Sequence, residues 1–266
     1  MVNFFKEWEQ IKDKLKKRPL FIFLDFDGTL APIAKTPAKA VIPEETKRIL
    51  KILSRKAFCK VAVISGRSLV DIRAKLNGLN DVIYSGNHGL EIDGPGIKSS
   101  PMVSLGYIMA IKRIKIALGK MTSVIKGALL EDKKFSLSLH YRLVSDKQVP
   151  RLKEVFNSAV TRYAASGRVQ VREGKKVLEV GPPSKWDKGK VVQWLLSRHG
   201  FAKRGKNILP VYIGDDLTDE DAFKALKNRG ITIFVGRRNK SSNAKYYLRD
   251  TGDVARFLNN ISEIQN

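Results

Sequence analysis

Leu20-Phe21-Ile22-Phe23-Leu24 runs directly into Asp25-Phe26-Asp27-Gly28-Thr29, and these ten residues decide the fold. The first five carry no polar side chain, which is the pattern of a strand buried on both faces of a parallel sheet. Two carboxylates and a glycine then arrive where such a strand would end, the place where open α/β sheets bind their ligands. The pattern recurs along the chain. Val61–Ile64 leads into Ser65-Gly66-Arg67, Leu209–Ile213 into Gly214-Asp215-Asp216, and Ile231–Val235 into Gly236. Helical periodicity fills the intervals at Glu44–Lys56, Leu69–Leu76, Lys188–Arg198 and Asp219–Lys227. Strands alternating with helices predict an α/β fold with a Rossmann-like parallel sheet covered on both faces.

The middle third has another rhythm. Helical patterns at Tyr107–Leu118 and Lys147–Ala164 alternate with pairs of strand-like runs, Ser123–Leu130 with Phe135–Tyr141 and Arg168–Arg172 with Lys176–Val180. The order α-β-β-α-β-β predicts a small α+β cap domain at 101–180, inserted into a core made of 1–100 and 181–266. Gly94-Pro95-Gly96 and Gly181-Pro182-Pro183 offer hinges on either side.

Composition narrows the function. The 266 residues hold 50 Lys and Arg against 26 Asp and Glu, a net charge of +24, with 43% hydrophobic residues. Such a chain buries a core and is not intrinsically disordered. Apolar runs are far shorter than the ~20 residues that span a bilayer, so no membrane is expected. Met1–Arg18 mixes Glu7, Glu9 and Asp13 with lysines and does not read as a secretory signal. A single cysteine, Cys59, rules out an internal disulfide and suits a cytoplasmic protein. The basic excess is densest at 101–180, with 16 Lys and Arg against 6 Asp and Glu. No zinc-finger spacing or basic–aromatic cluster accompanies it, so nucleic acid is not the expected partner. Solvated helix faces account for part of the charge, and an anionic substrate is the reading the motifs favour.

Asp25 and Asp27 crowd two negative charges at a strand end, which calls for a cation, a shared proton or both. With a divalent metal, Asp25 is placed to attack phosphorus and Asp27 to act as general acid and base. Ser65 with the Gly66 amide can bind phosphate, and Arg67 can add a charge-assisted contact. Lys188, opening a helix, can set an ammonium beside Asp25. Asp215, Asp216 and Asp219 supply three carboxylates within five residues, a set that points to a hard divalent cation. Taken singly, each has a plain structural alternative: a solvated turn, a helix cap, a surface lysine.

Together and in this order, Asp25-Phe26-Asp27-Gly28-Thr29-Leu30, Ser65, Lys188 and Gly214-Asp215-Asp216 resemble the four motifs of haloacid-dehalogenase-like phosphohydrolases. Further strings resemble the trehalose-6-phosphate phosphatase family within them. These are Ser85-Gly86-Asn87-His88-Gly89-Leu90-Glu91, Glu131-Asp132-Lys133-Lys134-Phe135 with His140-Tyr141-Arg142, and Leu178-Glu179-Val180. Lys185-Trp186-Asp187-Lys188-Gly189-Lys190 and Asp215-Asp216-Leu217-Thr218-Asp219-Glu220-Asp221-Ala222-Phe223 complete them. The resemblance covers roughly residues 20–250. It implies Asp25 as nucleophile, Asp27 as acid and base, and Ser65 and Lys188 on the phosphoryl group. It implies Mg²⁺ held by Asp25, the Asp27 main-chain carbonyl and Asp215, with Asp219 in support. On the substrate it implies Gly66, Arg67 and His88, and from the cap Glu131, Lys134, His140, Arg142 and Glu179.

Without the resemblance, His140 and Arg142 alternate with Leu139 and Tyr141 on a strand face that need only be solvated. Glu131 and Lys134 then form a surface pair, and His88 serves its Gly-flanked loop. Trp186 and Phe223 read as packing residues, Cys59 and His199 as bland. The family often carries arginine where this chain has Gly181 and Leu217, which bears on sugar preference rather than on phosphoryl transfer. The expectation is a cytoplasmic, monomeric, Mg²⁺-dependent trehalose 6-phosphate phosphatase with a small sugar phosphate as substrate and a trehalose-phosphate synthase as possible partner. The alternative substrate is another sugar or polyol phosphate, such as glucosyl- or mannosyl-phosphoglycerate. A catalytically silent protein that binds through its basic surface is the rival from another class.

Overall fold

The structure is a computed structural model, which describes residues 1–184, 186–198, 207–238 and 241–264. Lys185 and His199 lie outside the described residues. The chain forms two units: Met1–Ala34, Ala38–Ser99 and Trp186–Asn266 make the first, Lys35–Pro37 and Ser100–Lys185 the second.

The first unit begins with β1 (Val2–Asn3), α1 (Trp8–Lys17), β2 (Leu20–Leu24), α2 (Glu44–Arg55), β3 (Cys59–Ile64), α3 (Leu69–Lys75), β4 (Ile83–Gly86), β5 (Glu91–Gly94) and β6 (Ile97–Ser99). The second contains α4 (Leu105–Thr122), β7 (Leu129–Asp132), β8 (Leu137–His140), α5 (Val149–Ala165), β9 (Gln170–Gly174) and β10 (Val177–Gly181). The chain then returns to the first unit with α6 (Lys188–Arg198), β11 (Leu209–Gly214), α7 (Glu220–Leu226), β12 (Ile231–Val235), β13 (Tyr246–Leu248) and α8 (Thr251–Ile264).

Among the described residues the first unit holds one nine-stranded sheet, ordered β1-β13-β12-β11-β2-β3-β4-β5-β6. It is parallel from β1 to β4, and β5 and β6 extend it antiparallel. The apolar run of β2 divides by alternation. Leu20, Ile22 and Leu24 face one core with α1, α2 and α8; Phe21 and Phe23 face another with α6 and α7. β2 is central: the chain leaves it towards β3 on one side and returns as β11 on the other. Such a switch of direction opens a crevice at the strand carboxyl ends.

The second unit is a four-stranded antiparallel sheet, β7-β8-β10-β9, with the element order α-β-β-α-β-β. Leu137, Leu139, Leu178 and Val180 form one sheet face and pack with Tyr107, Ile114 and Leu118 of α4 and with Leu152, Phe156 and Val160 of α5. No helix among the described residues is long and apolar enough to cross a membrane.

Several expected boundaries move. Ser123–Leu130 is a strand only from Leu129 on, because the chain turns at Gly127 (φ +90°), where a Cβ would lie 2.2 Å from the Leu143 carbonyl oxygen. Gly94-Pro95-Gly96 is the turn of the β5–β6 hairpin, not a hinge. Arg142 lies beyond the end of β8, so it does not share a strand face with His140. The amino-terminal segment packs into the first unit, where Phe4, Ile11 and Leu15 are buried in the core.

Candidate active site

Asp25 follows β2 directly, and its backbone N–H donates to the Ile213 carbonyl at 2.9 Å, joining the ends of β2 and β11. The Phe26 carbonyl accepts from the N–H groups of Leu30 and Ala31, both at 2.9 Å, and so curls the loop back on itself. Gly28 sits at φ +85°, and a Cβ there would fall 2.3 Å from Asp215 Oδ2. Only glycine lets this loop come so close to the carboxylate of the neighbouring strand.

Asp25, Asp215 and Asp219, all buried, each place one carboxylate oxygen within 4.8 Å of the others. The Lys188 ammonium, at the start of α6, donates to Asp25 Oδ1 at 2.8 Å and to Asp219 Oδ1 at 2.7 Å. Asp219 Oδ1 also accepts from the Tyr212 hydroxyl at 2.7 Å, and its Oδ2 accepts from the backbone N–H groups of Asp215 and Asp216, both at 3.0 Å. Four donors fill the acceptor sites of that carboxylate. Asp219 therefore fastens the loop that presents Asp215.

Burial pushes the Asp25 carboxyl well above its usual range; Lys188 opposes this, and Asp219, Asp215 and Asp216 add to it. Burial likewise lifts Asp219 to about 6 against the pull of Lys188. Burial disfavours the Lys188 ammonium, but Asp219 and Asp25 outweigh it and raise its pKa well above the usual lysine value. The site thus holds more negative charge than one ammonium balances. Its donors are all hard oxygens, and these residues fit a divalent cation of the Mg²⁺ kind.

Ser65, just past β3, is buried, and its Oγ accepts from the Arg67 backbone N–H at 3.2 Å. A Cβ on Gly66 would lie 2.6 Å from His88 Nε2, so the glycine makes room for the imidazole. His88 itself adopts the left-handed region (φ 55°) in the turn after β4. The Arg67 guanidinium, only 6% exposed, grips Asp27: Nε to Oδ2 and Nη2 to Oδ1, both 2.7 Å. Its third nitrogen, Nη1, donates to Asp71 Oδ2 at 2.6 Å. The structure brings Asp25, Asp215, Asp219 and Lys188 together, and it pairs Arg67 with Asp27.

In the second unit, Glu131 lies opposite Ser138 and Ser138 opposite Glu179, a polar row across β7, β8 and β10. Glu179 Oε2 accepts from the Ser138 hydroxyl at 3.0 Å and from the Lys133 ammonium at 3.2 Å. His140 Nε2 and Glu131 Oε2 are 2.7 Å apart. Lys134 turns outward at φ +70°, its ammonium 4.9 Å from the Phe135 ring centre. Arg142 is exposed and donates to the Lys175 carbonyl at 3.1 Å.

Sequence reasoning missed Tyr212, Asp71, Lys133 and Ser138. Two of these carried a signal: Asp71 stands four residues after Arg67, an ion-pair spacing on a helix, and strand alternation sets Tyr212 apart from Val211 and Ile213.

A family model described as trehalose-phosphatase matches residues 23–252. Trehalose-phosphate phosphatase B of Arabidopsis thaliana is 36% identical over 267 residues, which cover 96% of this chain and 70% of that protein. The C-terminal domain of a C. albicans trehalose-6-phosphate phosphatase superposes with a TM-score of 0.78 at 25% identity, covering 96% of each chain. A haloacid dehalogenase-like hydrolase from Bacteroides thetaiotaomicron shares the fold alone, with a TM-score of 0.64 at 16% identity, covering 92% of this chain and 100% of that one. With a matching family model over most of its length and a relative this similar, the chain belongs to the trehalose-phosphatase family.

Proposed function

We propose that the protein is a phosphoric monoester hydrolase that releases trehalose and phosphate from trehalose 6-phosphate. The observation that carries this is Lys188 bridging Asp25 and Asp219 beside Asp215, at adjoining strand ends, in a chain of this family. An oxygen of Asp25 attacks phosphorus as the bond from phosphorus to the sugar oxygen breaks. Asp27, carrying a proton, passes it to that leaving oxygen. A water then attacks phosphorus, Asp27 takes the proton back, and the bond to Asp25 breaks to free phosphate. Ser65 and Lys188 hold the phosphoryl oxygens, positioning and neutralising at once.

Asp25, the Asp27 main-chain carbonyl and Asp215 would hold Mg²⁺, with Asp219 in support. When bound, the ion offsets the charge of the phosphoryl oxygens. Sugar recognition is assigned to residues 101–180, through Glu131, His140 and Glu179, with Lys133 on Glu179. Polar groups of this kind discriminate because an unmatched buried donor or acceptor costs about 1–3 kcal/mol. We place the protein in the cytoplasm as a monomer, with a trehalose-phosphate synthase supplying its substrate. Its one cysteine, Cys59, is buried in β3 and asks for no oxidising compartment.

The test is phosphate release, with Mg²⁺ or with EDTA, from trehalose 6-phosphate beside glucose 6-phosphate, sucrose 6-phosphate and glucosyl-phosphoglycerate. Mg²⁺-dependent preference for trehalose 6-phosphate is expected. Preference for another ester would keep the chemistry and move the substrate, a result the exposed Leu217 (80%) and Gly181 would then help explain. Silence on all four from folded protein would overturn the reading.

A further inference from the structure

Arg67 stands between two carboxylates. All three of its guanidinium nitrogens donate, two to Asp27 and one to Asp71. Its Cζ lies 5.2 Å from the centre of the buried Phe26 ring, which supports the guanidinium from the side. Asp71 is fixed in turn, because its backbone N–H donates to the Ser68 hydroxyl that caps α3. A bidentate arginine sets the plane of a carboxylate, whereas a single contact leaves it free to rotate. Each Asp27 oxygen keeps a second lone pair on which a proton can travel.

We infer that Asp71 and Arg67 are positioning residues: Asp71 seats the guanidinium, and the guanidinium holds the plane of the Asp27 carboxyl group in one orientation for its work on the leaving sugar oxygen. This rests on the reading of Asp27 as general acid. It differs from a phosphate-binding role for Arg67, because the three hydrogen bonds described for its guanidinium go to Asp27 and Asp71. An aryl ester makes the relay visible. Nitrophenolate departs without a proton, so its release does not need an aimed acid, while the sugar alkoxide does need one.

The experiment is a single turnover with enzyme in excess and Mg²⁺ present, following trehalose from trehalose 6-phosphate and p-nitrophenol from p-nitrophenyl phosphate. Asp71→Asn and Asp71→Ala should slow trehalose release about tenfold and change p-nitrophenol release by less than about twofold. Arg67→Lys, which keeps the charge and loses the fork, should show the same selectivity with an unchanged half-saturating concentration of trehalose 6-phosphate. Asp27→Asn should show it most strongly. Equal slowing of both esters by the Asp71 variants, or slowing of neither, overturns the relay while leaving a selective Asp27→Asn, and hence the acid, standing. A half-saturating concentration raised for both esters by Arg67→Lys would put Arg67 on the phosphoryl group and overturn its placement here. Asp27→Asn without selectivity would remove the acid reading itself.

Discussion

Asp25 works in surroundings that disfavour its own charge. Burial and three neighbouring aspartates act against its ionised form, and Lys188 only partly compensates. Two consequences separate cleanly in Asp25→Asn. Turnover of trehalose 6-phosphate should fall by at least about a thousandfold, because the amide is no nucleophile. The metal-free protein should melt no lower than the parent, because a neutral side chain replaces one that the fold keeps in an unfavourable state. Calorimetry beside a phosphate assay reads both; a large drop in melting temperature would mean that the Lys188–Asp25 pair is a net support of the fold. At this scale the sequence was legible wherever a residue's place follows from the end of a strand, as for Asp25 and Asp215, or the start of a helix, as for Lys188. It was not legible where contact depends on how two loops meet. Arg67 and Asp27 are 40 residues apart, and no local pattern predicts that they bind each other. Lys133 and Lys134 differ by one step of a turn, and the positive φ at Lys134 decides which of them reaches Glu179.

Among the elements, long apolar runs announced themselves and short mixed ones did not. β2, β3, β11 and β12 are buried almost throughout, so their sequences carry no alternation to misread. β4, β5, β6 and β13 have three or four residues each and include Ser85, Glu91, Asp93 and Lys98. Their pairing comes from the neighbours they meet, which a local pattern does not contain. The first segment is the clearest case of tertiary context completing an ambiguous stretch. Phe4 lies edge-on to Phe257 with ring centres 4.9 Å apart and to Tyr246 at 5.3 Å, and β1 pairs with β13. Emptying that position is costly. Phe4→Ala should lower stability by roughly 3–5 kcal/mol and leave the kinetic constants of the folded enzyme unchanged. Denaturant unfolding checks the first part, and a shift below 1 kcal/mol would show the amino-terminal segment to be only loosely docked.

For the whole molecule, the carboxylate cluster ties stability to pH and to the metal with a definite sign. Asp219 rises from an ordinary 3.8 to about 6 on folding. A carboxyl raised in this way stabilises the metal-free fold below about pH 4, and that contribution is lost as pH climbs through about 6. A cation competes with the same protons, so its stabilisation should run the other way. The rise in melting temperature on adding Mg²⁺ should be small at pH 5 and grow between pH 5 and 7.5. An equal rise at both values would detach the ion from these carboxylates. The sheet order sets a further condition, on the making of the protein. Leu20 takes Cys59 as one neighbour and Leu209 as the other, while Val2 pairs with Tyr246. A ribosome adding ~5–20 residues per second needs on the order of tens of seconds to deliver the partners of the first strand. During that interval Phe4 lacks Tyr246 and Phe257, the two rings it meets edge-on in the finished core. Vectorial synthesis thus makes α1 long before α8, the helix that completes the core they share.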